Sequence, residues 1–256
     1  MEKPLVYVAA VRRSGSNLLC EALSQLPHSF VFREPGWARG KFRLQPNVIE
    51  LFRKCGLDLE ALRKTAPAGD REKLLDFFVH DLLPALEPVV HQVGIKEIQH
   101  DGWRRLTARA PEWRVVLLGR DPRDIYLSLH DKRRDRGVAL EALTPEAVSD
   151  EIRRAFAEQR EIEAALPCLR VRYEDLCTDP GVLDAIRRFV ECDLRGPGMV
   201  GELNRHNRRR HGDRITRRSV ARWRTEPDPT LRREAHETFE RLPEYAADWS
   251  YTAGDG

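Results

Sequence analysis

Leu5–Leu26 reads LVYVAAVRRSGSNLLCEALSQL. Its first seven residues are mostly apolar and rich in valine, which predicts a buried parallel strand. The chain then turns through Arg12-Arg13-Ser14-Gly15-Ser16-Asn17, and Leu18, Leu19, Ala22, Leu23 and Leu26 follow at helical spacing. A strand that feeds a short turn and then a helix points several backbone N–H groups and the positive end of a helix dipole at one spot. An anion, usually a phosphate, binds at such a spot. Arg12 and Arg13 add formal charge to it. Taken alone, the turn is equally compatible with an ordinary strand-to-helix connection carrying two solvated arginines.

Outward from this unit, strand and helix signals alternate. Ser29–Phe32 reads as a second strand, stopped by Arg33-Glu34-Pro35-Gly36. Asn47–Leu86 reads as helix in two or three pieces divided by Pro and Gly, and Val89–Ile95 as a third strand. Gly102–Ala110 reads as helix, and Trp113–Gly119 (WRVVLLG) as a strong buried strand with a helix starting at Asp121. A long helix is expected over Pro145–Leu166, a strand over Cys168–Tyr173 and a helix over Val182–Val190. This order predicts an α/β fold of three layers, a mostly parallel central sheet flanked by helices. Ligands in such sheets sit beyond the carboxyl ends of the strands.

A chain of 256 residues is expected to form one domain with a full core. The net charge of +3 is unevenly spread: Arg205–Arg224 (RHNRRRHGDRITRRSVARWR) holds a single acid, Asp213. Ile215, Val220 and Trp223 inside this block predict that part of it packs on the body. The five cysteines are widely spaced with no CxxC pair, which argues against a disulfide scaffold or a zinc site and fits a reducing compartment. Met1-Glu2-Lys3-Pro4 leads directly into the first strand, and no apolar run is long enough to span a bilayer. The expectation is a cytoplasmic protein without a signal peptide or membrane span.

A second anion-binding turn follows the Trp113–Gly119 strand in Gly119-Arg120-Asp121-Pro122-Arg123-Asp124-Ile125-Tyr126-Leu127-Ser128. Asp121 suits the N-cap, Pro122 the first helical position, and Asp124 a capping acid reaching back. Arg120 has no such structural explanation. It stands at the strand's carboxyl end, and Ser128 lies two turns into the helix. A guanidinium with two donors in fixed geometry plus a hydroxyl suits a terminal phosphate.

Three ordered motifs, Val11-Arg-Arg-Ser-Gly-Ser-Asn-Leu-Leu19, Arg120-Asp-Pro-Arg-Asp with Ser128, and Val171-Arg-Tyr-Glu-Asp-Leu176 with Pro180, resemble the sulfotransferases that use 3′-phosphoadenosine 5′-phosphosulfate (PAPS). The resemblance covers roughly half the chain and implies the sulfotransferase fold, similar to P-loop NTPases. It also implies PAPS as donor, 3′-phosphoadenosine 5′-phosphate (PAP) as product, and no metal. By this likeness Arg13, Ser14, Gly15, Ser16 and Asn17, beside Arg12, hold the 5′-phosphosulfate, and Arg120 and Ser128 the 3′-phosphate. Arg217–Arg224 resembles the family's basic loop over the nucleotide, which assigns Arg218 and Ser219 to it within a cover at about 205–225. Asn17 departs from the family's usual threonine or serine, but an amide still offers a donor. Phe30–Trp37, with its Glu-Pro-Gly-Trp, resembles carbohydrate sulfotransferases, so a sugar or other small-molecule hydroxyl is the expected acceptor. The segments at about 47–88 and Lys132–Ala147 are expected to wall its pocket.

Sulfuryl transfer to an alcohol needs charge stabilisation on the leaving phosphate, donors to the transferring oxygens and a base for the hydroxyl. Arg13 and the loop amides meet the first two needs. Glu34, just past the second strand, is the first candidate base; Glu97 and His100 come next, with Lys96 assisting the sulfuryl oxygens. Glu34 has the alternative of a salt bridge to Arg33 or Arg39, and His100 that of a helix N-terminal histidine. Arg172, Tyr173, Glu174 and Asp175 read as structural, with Tyr173 packing and Asp175 capping the next helix or bracing the first loop. Two rivals remain: a P-loop small-molecule kinase, which would want a lysine and a second glycine in the turn, and a nucleic-acid-binding protein using the arginine block. The expected partners are donor and acceptor, with no stable nucleic-acid partner and with self-association open.

Overall fold

The computed structural model describes residues 3–67, 69–110 and 112–254. Five strands, β1 (Leu5–Ala10), β2 (Phe30–Arg33), β3 (Val93–Glu97), β4 (Trp113–Gly119) and β5 (Cys168–Arg172), form one sheet in the order β2-β3-β1-β4-β5. Every neighbouring pair is parallel, with Val6 opposite Gly94 and Arg114, and Val116 opposite Leu169. The predicted α/β architecture is therefore present, with β1 at its centre.

The alternation along β1 separates the two faces. Leu5, Tyr7, Ala9 and Val11 enter a core with Val115, Leu117, Val93 and Ile95. Val6, Val8 and Ala10 enter the opposite one with Val31, Val116, Leu118 and Val171. Helices cover both sides, since a strand buried on both faces leaves none for water. The first face takes α2 (Pro46–Lys54), α3 (Leu59–Thr65), α4 (Arg71–Phe77), α5 (Leu83–Leu86), α6 (Trp103–Thr107), α7 (Pro122–Arg134), α8 (Pro145–Ala165), α12 (Pro229–Glu240) and α13 (Pro243–Asp248). The second takes α1 (Ser16–Ala22), α9 (Tyr173–Thr178) and α10 (Pro180–Phe189), while α11 (Arg205–His211) lies in the C-terminal segment. None of these helices is long and apolar enough to cross a membrane.

Several boundaries move from their expected places. The third strand begins four residues late, because the amides of Val89 and Val90 bond back to the Leu86 carbonyl and finish a helical turn. The 47–86 region is in more pieces than expected, with a π-helical turn at Phe78–Leu82 between α4 and α5. Its Phe52, Phe77 and Phe78 are core residues, Phe78 stacking on Trp37 with ring centroids 4.5 Å apart. Asp121 caps α7 as predicted, through Arg123 N at 2.9 Å. Asp124 does not reach back: its Oδ1 accepts from Trp223 N (3.3 Å), and Arg120 lies 3.5 Å from its other oxygen. Asp175 does not cap the next helix either, since Asp179 fills that place by accepting from Gly181 N.

Candidate active site

All five strands end on one side of the sheet, and their C-terminal residues or the turns just after them line a cavity of about 420 Å³. Over the ends of β1, β4 and β5 lie the Arg12–Asn17 turn, Arg120 and Tyr173; over the ends of β2 and β3 lie Glu34 and Lys96. The C-terminal segment closes the far side through Asn204, Asn207, His211, Ser219 and Arg222.

The turn after β1 is held in an uncommon shape. Arg13 has φ of 67° and Gly15 of 87°, in the left-handed region that costs a side-chain-bearing residue about 1 kcal/mol. A Cβ at Gly15 would in addition overlap the Tyr173 ring. The first bonds of α1 run from Leu18 and Leu19 to the Gly15 carbonyl. The amides of Gly15, Ser16 and Asn17 precede them and have no acceptor among the described residues, as at any helix start. Of the predicted loop residues, Arg12, Arg13, Gly15, Ser16 and Asn17 line the cavity. Ser14 is fully buried beneath it.

The two predicted anion corners meet. Arg13 Nε donates to Ser128 Oγ at 3.0 Å, and Arg120 Nη1 donates to the Arg13 carbonyl at 2.9 Å. Arg120 Nη2 donates to the Ser219 carbonyl, its guanidinium lies 4.4 Å from the centre of the Tyr173 ring, and its Nε is buried without an acceptor. Tyr245 pins the Arg120 backbone from behind, its hydroxyl bonding both the amide and the carbonyl at 3.0 Å. Glu174 accepts from Asp121 N at 3.0 Å and from the Tyr251 hydroxyl at 2.8 Å, which explains the acid after Tyr173.

At the other end, Glu34 has φ of 51° and is ion-paired with Lys96, not with Arg33 or Arg39. Lys96 is buried, whereas the Glu34 side chain is 42% exposed to the cavity. Burial works against the charge on Glu34, but the Lys96 ammonium and its hydrogen bond, with Lys132 and Arg39 beyond, hold the carboxyl below its ordinary pKa. Glu34 is therefore ionised and free of its proton near neutral pH.

Glu97 and His100 stand outside the cavity lining. Glu97 accepts from Gly36 N at 2.9 Å and pairs with Arg39 at 3.2 Å, fixing the turn that presents Glu34. Burial pushes its carboxyl up to about 7 despite the Gly36 amide and Arg39. His100 is buried against the Tyr7 hydroxyl, 2.9 Å from Nδ1, and burial pushes its imidazole down to about 4. Arg218 is exposed and does not line the cavity, while Ser219 does. Among the described residues, none of the segment at 47–88 lines it.

Lys132, Asp135 and Arg136, from the segment expected to wall the acceptor pocket, and Arg205, Asn207, Arg209, His211 and Arg222, from the expected basic cover, line the cavity, though the sequence singled out none of them individually; Asn204, just before the cover, was not expected. Lys132 was visible as the i+4 neighbour of Ser128 on α7, the face that meets the cavity. For α11 the sequence signalled the basic block but not which of its residues face the cavity, because what fixes them is distant in sequence. The Glu21 carboxylate of α1 accepts from Asn207 Nδ2 (2.7 Å) and Gly201 N (3.1 Å), Arg33 donates to the Leu203 carbonyl (3.0 Å), and the Tyr173 hydroxyl meets His211 (3.4 Å).

No family model matches this sequence, and no curated protein does. Solved structures do match its fold over nearly the whole chain. The sulfotransferase of Alicyclobacillus acidocaldarius superposes with TM-score 0.57 at 14% identity, covering 98% of each chain. The sulfotransferase domain of the curacin biosynthetic pathway gives 0.59 at 15% identity, covering 98% of this chain and 99% of that one. Mouse sulfotransferase SULT7A1, crystallised with PAP, gives 0.54 at 13% identity, covering 98% and 90%. The chain has the sulfotransferase fold.

Proposed function

We propose that this chain is a PAPS-dependent sulfotransferase that moves a sulfuryl group to a hydroxyl of a small-molecule or sugar acceptor. The observation that carries this reading is the direct hydrogen bond between Arg120 and Arg13. It sets two cationic corners from distant parts of the chain at one end of a cavity whose other end holds the Glu34–Lys96 pair. The residues fit such a donor: orphaned amides at Gly15–Asn17, a buried Arg120 Nε without an acceptor, and hydroxyls at Ser128 and Ser219. Of the arginine block, Arg205, Arg209 and Arg222 line the cavity, which supports a ligand-covering role over a nucleic-acid surface.

Bound PAPS supplies an activated sulfuryl group whose leaving group is a phosphate. Arg13 and the loop amides face the place where charge develops as that bond breaks, and fixed donors in such a place are commonly the largest rate term. Lys96 presents its ammonium to the sulfuryl oxygens. The Glu34 carboxylate takes the proton of the acceptor hydroxyl as its oxygen bonds to sulfur, and PAP departs. Arg120, Ser128 and Ser219 hold the 3′-phosphate.

Thermal denaturation tests the donor. PAP should raise the melting temperature with or without a chelator, and Arg13→Ala should remove that rise and abolish transfer from PAPS. Stabilisation by ATP with magnesium but not by PAP would overturn the proposal.

A further inference from the structure

Two ammonium groups face the cavity, and only one of them has a part in the chemistry above. Lys96 reaches the cavity from β3, and Lys132 from α7, the helix that follows β4. In the sheet β3 and β4 stand on either side of β1. The two lysines therefore approach the Arg12–Asn17 turn from opposite flanks.

Lys132 is placed by the periodicity of its helix. It lies four residues after Ser128, so it shares the face on which Ser128 Oγ accepts from Arg13 Nε at 3.0 Å. The next two basic residues of α7 are engaged elsewhere: Arg133 donates to the Ala139 carbonyl at 3.0 Å, and Arg134 pairs with Asp131 at 3.2 Å. Lys132 is half-buried and lines the cavity, yet it forms no hydrogen bond or ion pair among the described residues. Other cations of the lining are paired, Arg12 with Glu151, Arg222 with Asp131, Arg209 with Asp135 and Lys96 with Glu34. The charge of Lys132 is felt at both ends of the site. Burial and the repulsion of Arg13, Arg12 and Arg136 push its ammonium down to about 8, with Glu34 opposing, and Lys132 in turn helps to hold the Glu34 carboxyl down. An ammonium set between the donor corner and the ionised Glu34, with no carboxylate of its own, suits a negatively charged group that arrives between them.

We propose that Lys132 is a further catalytic residue of the transfer, its ammonium donating to the oxygens of the sulfuryl group as that group passes from donor to acceptor. This rests on the sulfotransferase reading above. The bond from sulfur to the leaving phosphate oxygen breaks with its electron pair on that oxygen, while the acceptor oxygen bonds to sulfur and gives its proton to Glu34. Lys132 keeps its proton throughout. With Lys96 on the other flank, it holds the moving group from two sides.

Orthovanadate titrated onto the PAP-saturated protein tests this without an acceptor, because vanadate beside a phosphate oxygen mimics the sulfuryl group in flight. Calorimetry should show that the parent binds it and that Lys132→Met at pH 7 weakens it about tenfold or more, the worth of one charge-assisted hydrogen bond. PAP affinity should fall by a smaller factor, and PAP binding by the variant shows that it is folded. Lys132→Arg, which keeps the charge, should restore most of the vanadate affinity. Vanadate binding unchanged in Lys132→Met overturns the inference, as does an equal loss of PAP and vanadate, which would make Lys132 a donor-binding cation only. Failure of the PAP-bound parent to take vanadate overturns it too, and in each of these cases the PAP complex leaves the donor reading standing. Failure of PAP to bind the parent removes both.

Discussion

At the scale of single residues, the site is a set of groups whose charge is decided by their neighbours. Glu34 and Glu97 stand at two neighbouring strand ends: both are carboxylates beside Lys96, yet the more exposed one is held ionised and the buried one is pushed up to about 7. Only the first opens on the cavity. Glu34→Gln should therefore lower the rate of transfer by about 10²-fold or more, the usual worth of a general base. PAP affinity, measured by calorimetry, should stay nearly unchanged. Lys132 makes a second prediction. Its pKa is about 8 in the absence of an anion, through burial and then through Arg13, Arg12 and Arg136. An anion near those arginines favours the charged ammonium, so PAP binding at pH 8 to 9 should take up protons, and affinity should fall as pH rises through that range. Calorimetry in buffers of different ionisation enthalpy reads the uptake, and Lys132→Met should abolish it.

At the scale of elements, the strand-to-helix turns explain why much of the site was legible. The Arg12–Asn17 and Arg120–Ser128 segments each carry their own signal, an apolar strand, a turn residue or cap, and a cation without a local purpose. The cover was legible as a basic block, but its seating was not, because α11 is placed by Glu21, a residue that reads in sequence as an ordinary polar position on α1. Its carboxyl is fully buried, and burial raises its pKa although Asn207, Gly201 and Arg33 oppose the rise. A carboxyl with a raised folded pKa lends most stability below its unfolded value and loses it as pH rises. Glu21→Gln keeps an acceptor for Asn207 and Gly201 without the buried charge, so it should equal or exceed the parent in stability at pH 7. Glu21→Ala leaves those donors unmet and should cost about 2 kcal/mol or more by chemical denaturation. It should also expose 199–211 to proteolysis.

At the scale of the whole molecule, the continuous apolar run of β1, buried on both faces, made the three-layer sheet readable, since such a run is local information. Beyond the local helical turn that delays β3, what escaped the sequence is set by tertiary contact: the diversion of Asp124 to Trp223 and the enclosure of His100 behind Tyr7. That enclosure has a pH signature. A buried neutral imidazole at about 4 supports the fold above its unfolded value near 6.5, and the support is lost as pH falls from there toward 4. The melting temperature of the parent should drop across this window more steeply than that of His100→Gln.

Arg120 joins two segments that lie far apart in the chain, one before it and one after it, with one hand on the Arg13 carbonyl and the other on that of Ser219. Loop and cover thus share a hinge pin. Whatever loosens the pin frees both walls in the same event, so under the proposed function departure of the spent nucleotide and unveiling of the pocket would be a single kinetic step, and turnover would run on that motion as much as on chemistry.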